Sequence, residues 1–439
     1  MTAPQFQGEA PFKAFIKGAP WSAVPFGTLF SRQRIVGRED LPLLSVSYEH
    51  GILLRSESGD AAKRPSDDLS KYLVVCTGDM VFNKLSTWQG SFGVSRHDGI
   101  VSPAYFVCRP SGDVDPAFVD YLLHSHIYRA ELTRLSKWMP PSQFDIAWED
   151  LRLLRIVRPS LPEQRAITRF LDCETAEADE LVAKYKRLIN LFEEKRSALV
   201  THAVTKGVRS APVRDSGVAS IGAISGHWPV LSLRRVVSKF VDYRGSTPTK
   251  TLTGIRLVTA ANVKAGYIDY DADYAFISEE EYRERMVRGF PELGDVLLTM
   301  EAPLGQCAQV NDAEITLGQR VMLLKADPKV IDSAYLKWYF LSRAGQDELM
   351  SQGTGSTAVG IKASKLKGLP IAVPPLDEQV EIAGRLETLT FKIDPLITAV
   401  REAIALVRER KFSLITAAVT GRIDVRDYSA ESGNVEVPA

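Results

Sequence analysis

Two stretches of the chain place an apolar residue alternately every three and four positions and carry almost no glycine, which is the pattern of a coiled-coil helix. In the first stretch the seam runs Ile167, Leu171, Glu174, Ala178, Leu181, Tyr185, Leu188, Phe192, Lys195 and Leu199. In the second it runs Ile382, Leu386, Leu389, Ile393, Leu396, Val400, Ala403, Val407, Arg410 and Leu414. Each stretch opens on Pro followed by Glu, which suits the free N–H groups of a first helical turn, and each ends near a glycine, Gly207 or Gly421, able to cap the last turn. Long helices are expected over 161–207 and 374–421. Lys195 and Arg410 interrupt the two seams at equivalent places, and a buried cation is costly, so either a partner chain supplies acidic groups or, as the expected case, their side chains snorkel outward. Pro395 removes a hydrogen bond inside the second helix and predicts a kink or a restart there, with Asp394 as its cap.

The rest of the chain has a different texture, with short apolar runs broken by Gly, Pro, Asp and Asn that predict short strands and turns. Val74-Val75, Met80-Val81-Phe82 and Ala104-Tyr105-Phe106-Val107 are expected as strands, and the density of Phe118-Val119-Asp120-Tyr121-Leu122-Leu123 suits a short helix. Residues 1–160 and 208–373 therefore read as two mixed α/β (α+β) domains, with 422–439 as a tail. A chain of 439 residues exceeds what one core usually organises, so two domains is also the expectation from length.

The halves resemble each other. Ser160-Leu161-Pro162-Glu163-Gln164 recurs as Pro375-Leu376-Asp377-Glu378-Gln379 when the two Glu-Gln pairs are matched, an offset of 215 (378 − 163). The offset persists to the helix ends, where Leu199-Val200-Thr201-His202-Ala203-Val204-Thr205 meets Leu414-Ile415-Thr416-Ala417-Ala418-Val419-Thr420. Upstream, Gly78-Asp79-Met80-Val81 faces Gly294-Asp295-Val296-Leu297, and Trp21 and His227-Trp228-Pro229 open the two copies. Equivalent halves related by a two-fold axis would pair the helices antiparallel, as an intramolecular coiled coil separating the two domains.

Composition narrows the function. Lys plus Arg and Asp plus Glu both total 54, so no global basic field announces a nucleic-acid partner and any such site must be local. Cys76, Cys108, Cys173 and Cys307 form no Cys-x-x-Cys pair, which indicates neither a zinc site nor a disulfide framework, and buried thiols in a reducing cytoplasm are expected. Neither a signal peptide nor a membrane span is read, so a cytoplasmic location without membrane contact is expected.

Motifs for catalysis or metal binding fail one by one. Gly355-Ser356-Thr357-Ala358-Val359-Gly360-Ile361-Lys362 misses the phosphate-loop pattern, because Ile361 stands where Lys is required and Lys362 is followed by Ala363 where Ser or Thr should follow the Lys. The Pro-Pro pairs Met139-Pro140-Pro141-Ser142 and Val373-Pro374-Pro375-Leu376 do not match the Asn-Pro-Pro-aromatic loop of an adenine methyltransferase. His124 and His126 lack further ligands for a metal, and Glu193-Glu194-Lys195 reads as helix surface charge rather than a nuclease site.

Two variable domains alternating with two similar helices, each opened by Pro-x-x-Glu-Gln or Pro-Leu-Asp-Glu-Gln, resemble the specificity subunits of type I restriction-modification systems. The segments Gly78 to Lys84, Trp88 to Ser95 and Gly99 to Tyr105 look like that family's target-recognition domain, whereas Leu317-Gly318-Gln319-Arg320 departs from the Ser-Pro-Ala-Tyr pattern in the second half. The resemblance covers almost the whole chain. It implies a non-catalytic subunit that reads a split, asymmetric site in double-stranded DNA and binds two methyltransferase subunits through its helices. It also implies translocase/restriction subunits in the full complex. Cofactors are expected in those partners (S-adenosylmethionine, ATP and Mg) and none in this chain. The rival readings are a coiled-coil scaffold that binds only protein, and a self-sufficient methyltransferase or nuclease with an unrecognised site.

For DNA contact the candidates are local cations and their polar or aromatic neighbours, since Arg pairs with guanine and Gln with adenine. In the first domain they are Arg32, Arg34, Arg38, Lys63, Arg64, Lys84, Trp88 and Gln89; in the second, Tyr243, Arg244, Thr247, Lys250, Asn262, Lys362, Lys365 and Lys367.

Overall fold

A computed structural model describes residues 10–47, 51–57, 68–139, 143–243, 247–355 and 358–425. The chain divides into two compact units, Met1–Tyr185 with Glu402–Ala439, and Lys186–Arg401. The fold is mixed α and β, with two sheet-rich domains and two long helices, Leu161–Lys206 and Leu376–Val419.

In the first unit an antiparallel four-stranded sheet has the order Phe30–Gln33, Tyr105–Pro110, Met80–Asn83, Phe92–Val94. The expected strand Leu73–Val75 and helix Pro116–His124 are also present; Asp115 caps the helix through Ala117 N, with Pro116 in its first turn. The second unit repeats the sheet with Val237–Asp242, Val321–Ala326, Val296–Met300 and Leu304–Gln309 in the same order. It adds a three-stranded sheet in which Ile255–Val258 lies between Phe276–Ile277, antiparallel, and Ile315–Leu317, parallel.

The repeated Gly-Asp turns are built alike. Gly78 and Gly294 adopt φ of +90° and +87°, where only a residue without Cβ is comfortable. Asp79 then accepts from Cys76 N and from Arg109 Nη2, each at 2.9 Å. Asp295 accepts from Glu292 N at 2.9 Å and lies 2.9 Å from Lys325 Nζ. The Pro-x-x-Glu-Gln openings have an equally local reason. Buried Gln164 accepts from Asp115 N and donates to Pro159 O; buried Gln379 accepts from Asp332 N and donates to Pro374 and Val330 O. Each glutamine thus fastens the start of its helix to its own domain.

Within each unit the helix segments run antiparallel. In the first, Lys411 Nζ meets Asp179 at 2.7 Å; in the second, Arg196 meets Asp394 at 3.3 Å and Arg401 meets Glu193 at 3.2 Å. The seam is phased differently from the sequence reading. Ile167, Leu171, Ile382, Leu386, Ile393 and Leu414 are buried, and Tyr185, Phe192, Leu389, Val400 and Val407 are half-buried, as seam positions. Leu181, Leu188, Leu199 and Leu396 are exposed, and the neighbours Val182, Ile189, Val200 and Ile397 turn inward instead. Each exposed residue sits beside another apolar one, so the apolar pattern alone allowed either phase. Lys195 and Arg410 consequently lie off the seam on the exposed surface, and the cations that meet the facing helix are Arg196 and Lys411.

Pro395 does not restart the second helix, which continues through it, and Asp394 pairs with Arg196 rather than capping. The terminal glycines act as expected, with φ of +83° at Gly207 and +73° at Gly421, the latter with Arg422 N bonded to Ala417 O. Each is covered by the tryptophan opening a domain. A Cβ on Gly207 would lie 3.2 Å from Trp228, and one on Gly421 would lie 3.0 Å from Trp21. All four cysteines are free; Cys108 and Cys307 are buried, whereas Cys76 and Cys173 are only half-buried. Among the described residues no helix is long and apolar enough to cross a membrane.

Candidate nucleic-acid interface

The pleat of the first unit's main sheet gathers part of the sequence-predicted set. Arg32 pairs with Cys108, Phe82 with Phe106, and Lys84 follows Phe82 by two residues, so Arg32, Lys84 and Phe106 share one face. The Arg32 guanidinium carbon stands 4.6 Å from the Phe106 ring centre and 5.6 Å from that of Trp148; Lys84 Nζ stands 5.3 Å from Phe106. Phe26, stacked on Phe30, backs the Trp148 ring at 6.4 Å. Both cations are half-buried. Burial holds the Arg32 guanidinium below its ordinary pKa, and the nearby charge of Arg34 adds to this. Among the described residues its Nε is enclosed without a hydrogen-bond partner.

Beside this cluster lies the Trp88 loop. Trp88 is half-buried, its ring 4.9 Å from that of Phe144, and Gln89 is exposed. The loop backbone is anchored to the helices behind it. Arg129 donates to Gln89 O at 2.9 Å, and His124 Nε2 lies 3.2 Å from Gly90 O. His124 thus serves packing rather than a metal. Lys84 O accepts from Ile146 N at 3.3 Å, joining loop and cluster to the hairpin of Lys137–Met139 and Gln143–Asp145.

The remaining candidates disperse. Arg34 is exposed, and Arg38 is engaged by Asp40 through two hydrogen bonds of 2.8 and 2.7 Å. Lys63, Arg64 and Arg244 lie outside the described residues. Tyr243 is buried, its phenol pushed up to about 12 by burial and bonded to Gly289 O, so it belongs to the core. Asn262 is likewise buried, and both ends of its amide are spent on Thr259, Asp269 O and Asp273 O. These two polar residues serve the fold and present nothing to a ligand. Thr247 accepts from Gln319, and Lys250 pairs with Asp273 at 3.2 Å. Lys362 is exposed, Lys365 donates to Gln352 O at 3.3 Å, and Lys367 stands 5.3 Å from the Phe240 ring.

The sequence reading passed over one cluster in the second unit. Arg256 lies 5.1, 5.2 and 5.5 Å from the rings of Tyr270, Tyr274 and Phe276, and Tyr274 is 65% exposed. The signal available was a basic residue inside the apolar run Ile255–Val258 followed by closely spaced aromatics. Cations held on aromatic rings at a surface are suited to binding phosphates and stacking on bases.

Comparison with known proteins fits this architecture. Residues 288–404 match the family described as the type I restriction modification DNA specificity domain. The EcoKI specificity subunit of Escherichia coli K12 is 22% identical over 364 residues, covering 79% of this chain and 75% of that protein. The StySPI specificity subunit of Salmonella potsdam is 23% identical over 435 residues, covering 92% and 89%. A chain from a solved type I restriction-modification assembly has the same fold, with a TM-score of 0.66 at 16% identity, over 91% of this chain and 98% of that one. Over most of its length the chain is thus similar to type I restriction-modification specificity subunits, and residues 288–404 match that family's DNA specificity domain.

Proposed function

We propose that this chain is the non-catalytic DNA-specificity subunit of a type I restriction-modification complex, with one DNA-reading surface on each sheet-rich domain. The observation that carries this reading is duplication down to individual contacts: the Gly-Asp turn, the glutamine fastening and the Asp179–Lys411 ion pair each have a counterpart in the other unit. Two similar reading domains suit a two-part, asymmetric DNA site. Net neutrality is compatible with DNA binding when partner subunits supply most phosphate contacts. In this reading the paired helices dock two methyltransferase subunits, which bring S-adenosylmethionine and methylate adenine, and translocase subunits bring ATP and Mg. The test is to map methylated adenines in a host with and without the chain. A split motif that disappears with the chain is the expected result, and an unchanged methylation map would favour the protein-only scaffold.

A further inference from the structure

We infer that Arg32 and Lys84 form an anion subsite on the Phe106 and Trp148 rings, occupied by a backbone phosphodiester of duplex DNA. The inference deepens the DNA-specificity reading above and rests on it.

Three observations point to the site. The first is electrostatic. Arg32 on one strand and Lys84 just past the end of another converge on one aromatic ring, at 4.6 and 5.3 Å, and neither has a carboxylate at ion-pair distance among the described residues. Arg32 is further disfavoured as a cation by burial and by Arg34, only partly offset by Glu149, and an anionic ligand at the ring would stabilise both charges. The second is geometric. Arg32 Nε is enclosed and unbonded, while the guanidinium lies on two rings, so the fork is held in place and its outer nitrogens are the ones left to meet a ligand.

The third comes from the duplicate domain. Arg32 pairs with Cys108, and Phe240 pairs with Leu324, which are matching positions because Cys108 and Leu324 stand 216 apart (324 − 108), as do Gly78 and Gly294. The second domain therefore builds the same sheet with an apolar residue where the first has Arg32. The scaffold pair next to it, Asp79 with Arg109, is by contrast retained as Asp295 with Lys325. The fold does not require a cation at position 32, so its presence there is explained by a ligand. A phosphodiester fits better than a base edge. Both groups are pure donors, and lysine contributes a point charge without a donor and acceptor pattern to match a base.

The experiment uses the full chain assembled with its methyltransferase subunits and a duplex carrying the mapped site. Binding is titrated from about 50 to about 200 mM salt. Arg32→Gln and Lys84→Gln should each weaken binding roughly tenfold at low salt and make the slope of log K against log salt shallower by about 1. Arg32→Lys and Lys84→Arg should retain the slope, and the methylated sequence should be unchanged in all four variants. A wild-type slope in both glutamine variants overturns the inference, and so does an altered half-site in the methylation map, which would make these residues base readers. Inorganic phosphate added at constant ionic strength separates the two anion sources. Phosphate that binds wild type but not the glutamine variants while leaving duplex affinity unchanged would make this a free-phosphate site and overturn the assignment to DNA. A wild-type complex that fails to discriminate between duplexes sinks the DNA-specificity reading instead, while the salt slopes on any duplex still decide the phosphate contact.

Discussion

Lys411 Nζ donates to both carboxylate oxygens of Asp179 at 2.7 Å, and the 215-residue offset carries this pair onto Arg196 and Asp394, which meet at 3.3 Å. A cation in the C-terminal part of one helix and an acid in the N-terminal half of the other meet in each unit, as an antiparallel duplicate demands. Asp179 is 66% exposed, so the pair contributes little bulk stability, about 1 kcal/mol or less, and acts mainly on register. Asp179→Lys or Lys411→Asp alone should destabilise by up to about 1 kcal/mol, and the double exchange should recover most of the loss. Urea unfolding of the three variants measures the coupling; an additive double variant would mean that the contact has no energetic role.

Adjacent residues distinguish the two seam phases. Ile397 is 5% exposed and Leu396 is 49% exposed. Ile397→Ala should cost about 2 to 4 kcal/mol through lost burial and the cavity left behind, whereas Leu396→Ala should cost less than about 1. Denaturant midpoints of the two variants check this, and the reverse ranking would restore the seam drawn from the apolar pattern.

That pair also marks where the sequence was legible. The helices, their end glycines and the repeat were readable because helical period, capping and self-similarity are local properties. The seam phase was not, because Leu181-Val182, Leu188-Ile189 and Leu396-Ile397 offer an apolar residue in both phases, and the choice falls to tertiary contacts such as Arg196 with Asp394. The same limit applies to the site. Arg32 and Lys84 were identifiable as local cations, but only the strand pairing brings both onto Phe106. Tyr243 and Asn262 have the composition of ligand-binding residues, yet internal hydrogen bonds absorb them. Arg256 was missed because the aromatic rings around it gather only when Phe276–Ile277 pairs with its strand.

The Trp88 loop should respond to pH through His124. Burial opposes charge on this imidazole, but the Asp120 carboxylate and the carbonyls of Asp120 and Gly90 outweigh it and hold its pKa above the ordinary 6.5. Its two ring nitrogens face two carbonyl acceptors, at 2.9 and 3.2 Å, an arrangement that only the doubly protonated ring satisfies. A pKa raised by folding contributes stability that is complete below the unfolded value and is lost as pH rises through the folded one. Thermal unfolding should therefore show stability falling as pH climbs above 6.5. His124→Asn should flatten that dependence; an equally steep profile in the variant would assign it to other groups.

Exchanging the first reading domain tests whether the two surfaces act independently. The segment from Trp21 to Pro159 lies within one unit, and its core also takes in Ile167, Phe170, Leu171, Leu414, Ile415, Ala418 and Val419 from the two long helices. A donor segment from a relative must therefore keep Asp115, whose N–H donates to Gln164 and whose carboxylate accepts from Thr168, and the apolar face that meets these helix residues, or the chimera will lose stability before it changes specificity. Where those contacts are kept, the exchange leaves the second unit's sheet, its Asp295–Lys325 pair and its Gln379 fastening untouched. The expected methylation map has one half of the split motif replaced by the donor's and the other half unchanged. Replacement or loss of both halves in a chimera that unfolds at the parental temperature would mean that the two domains read DNA as one surface.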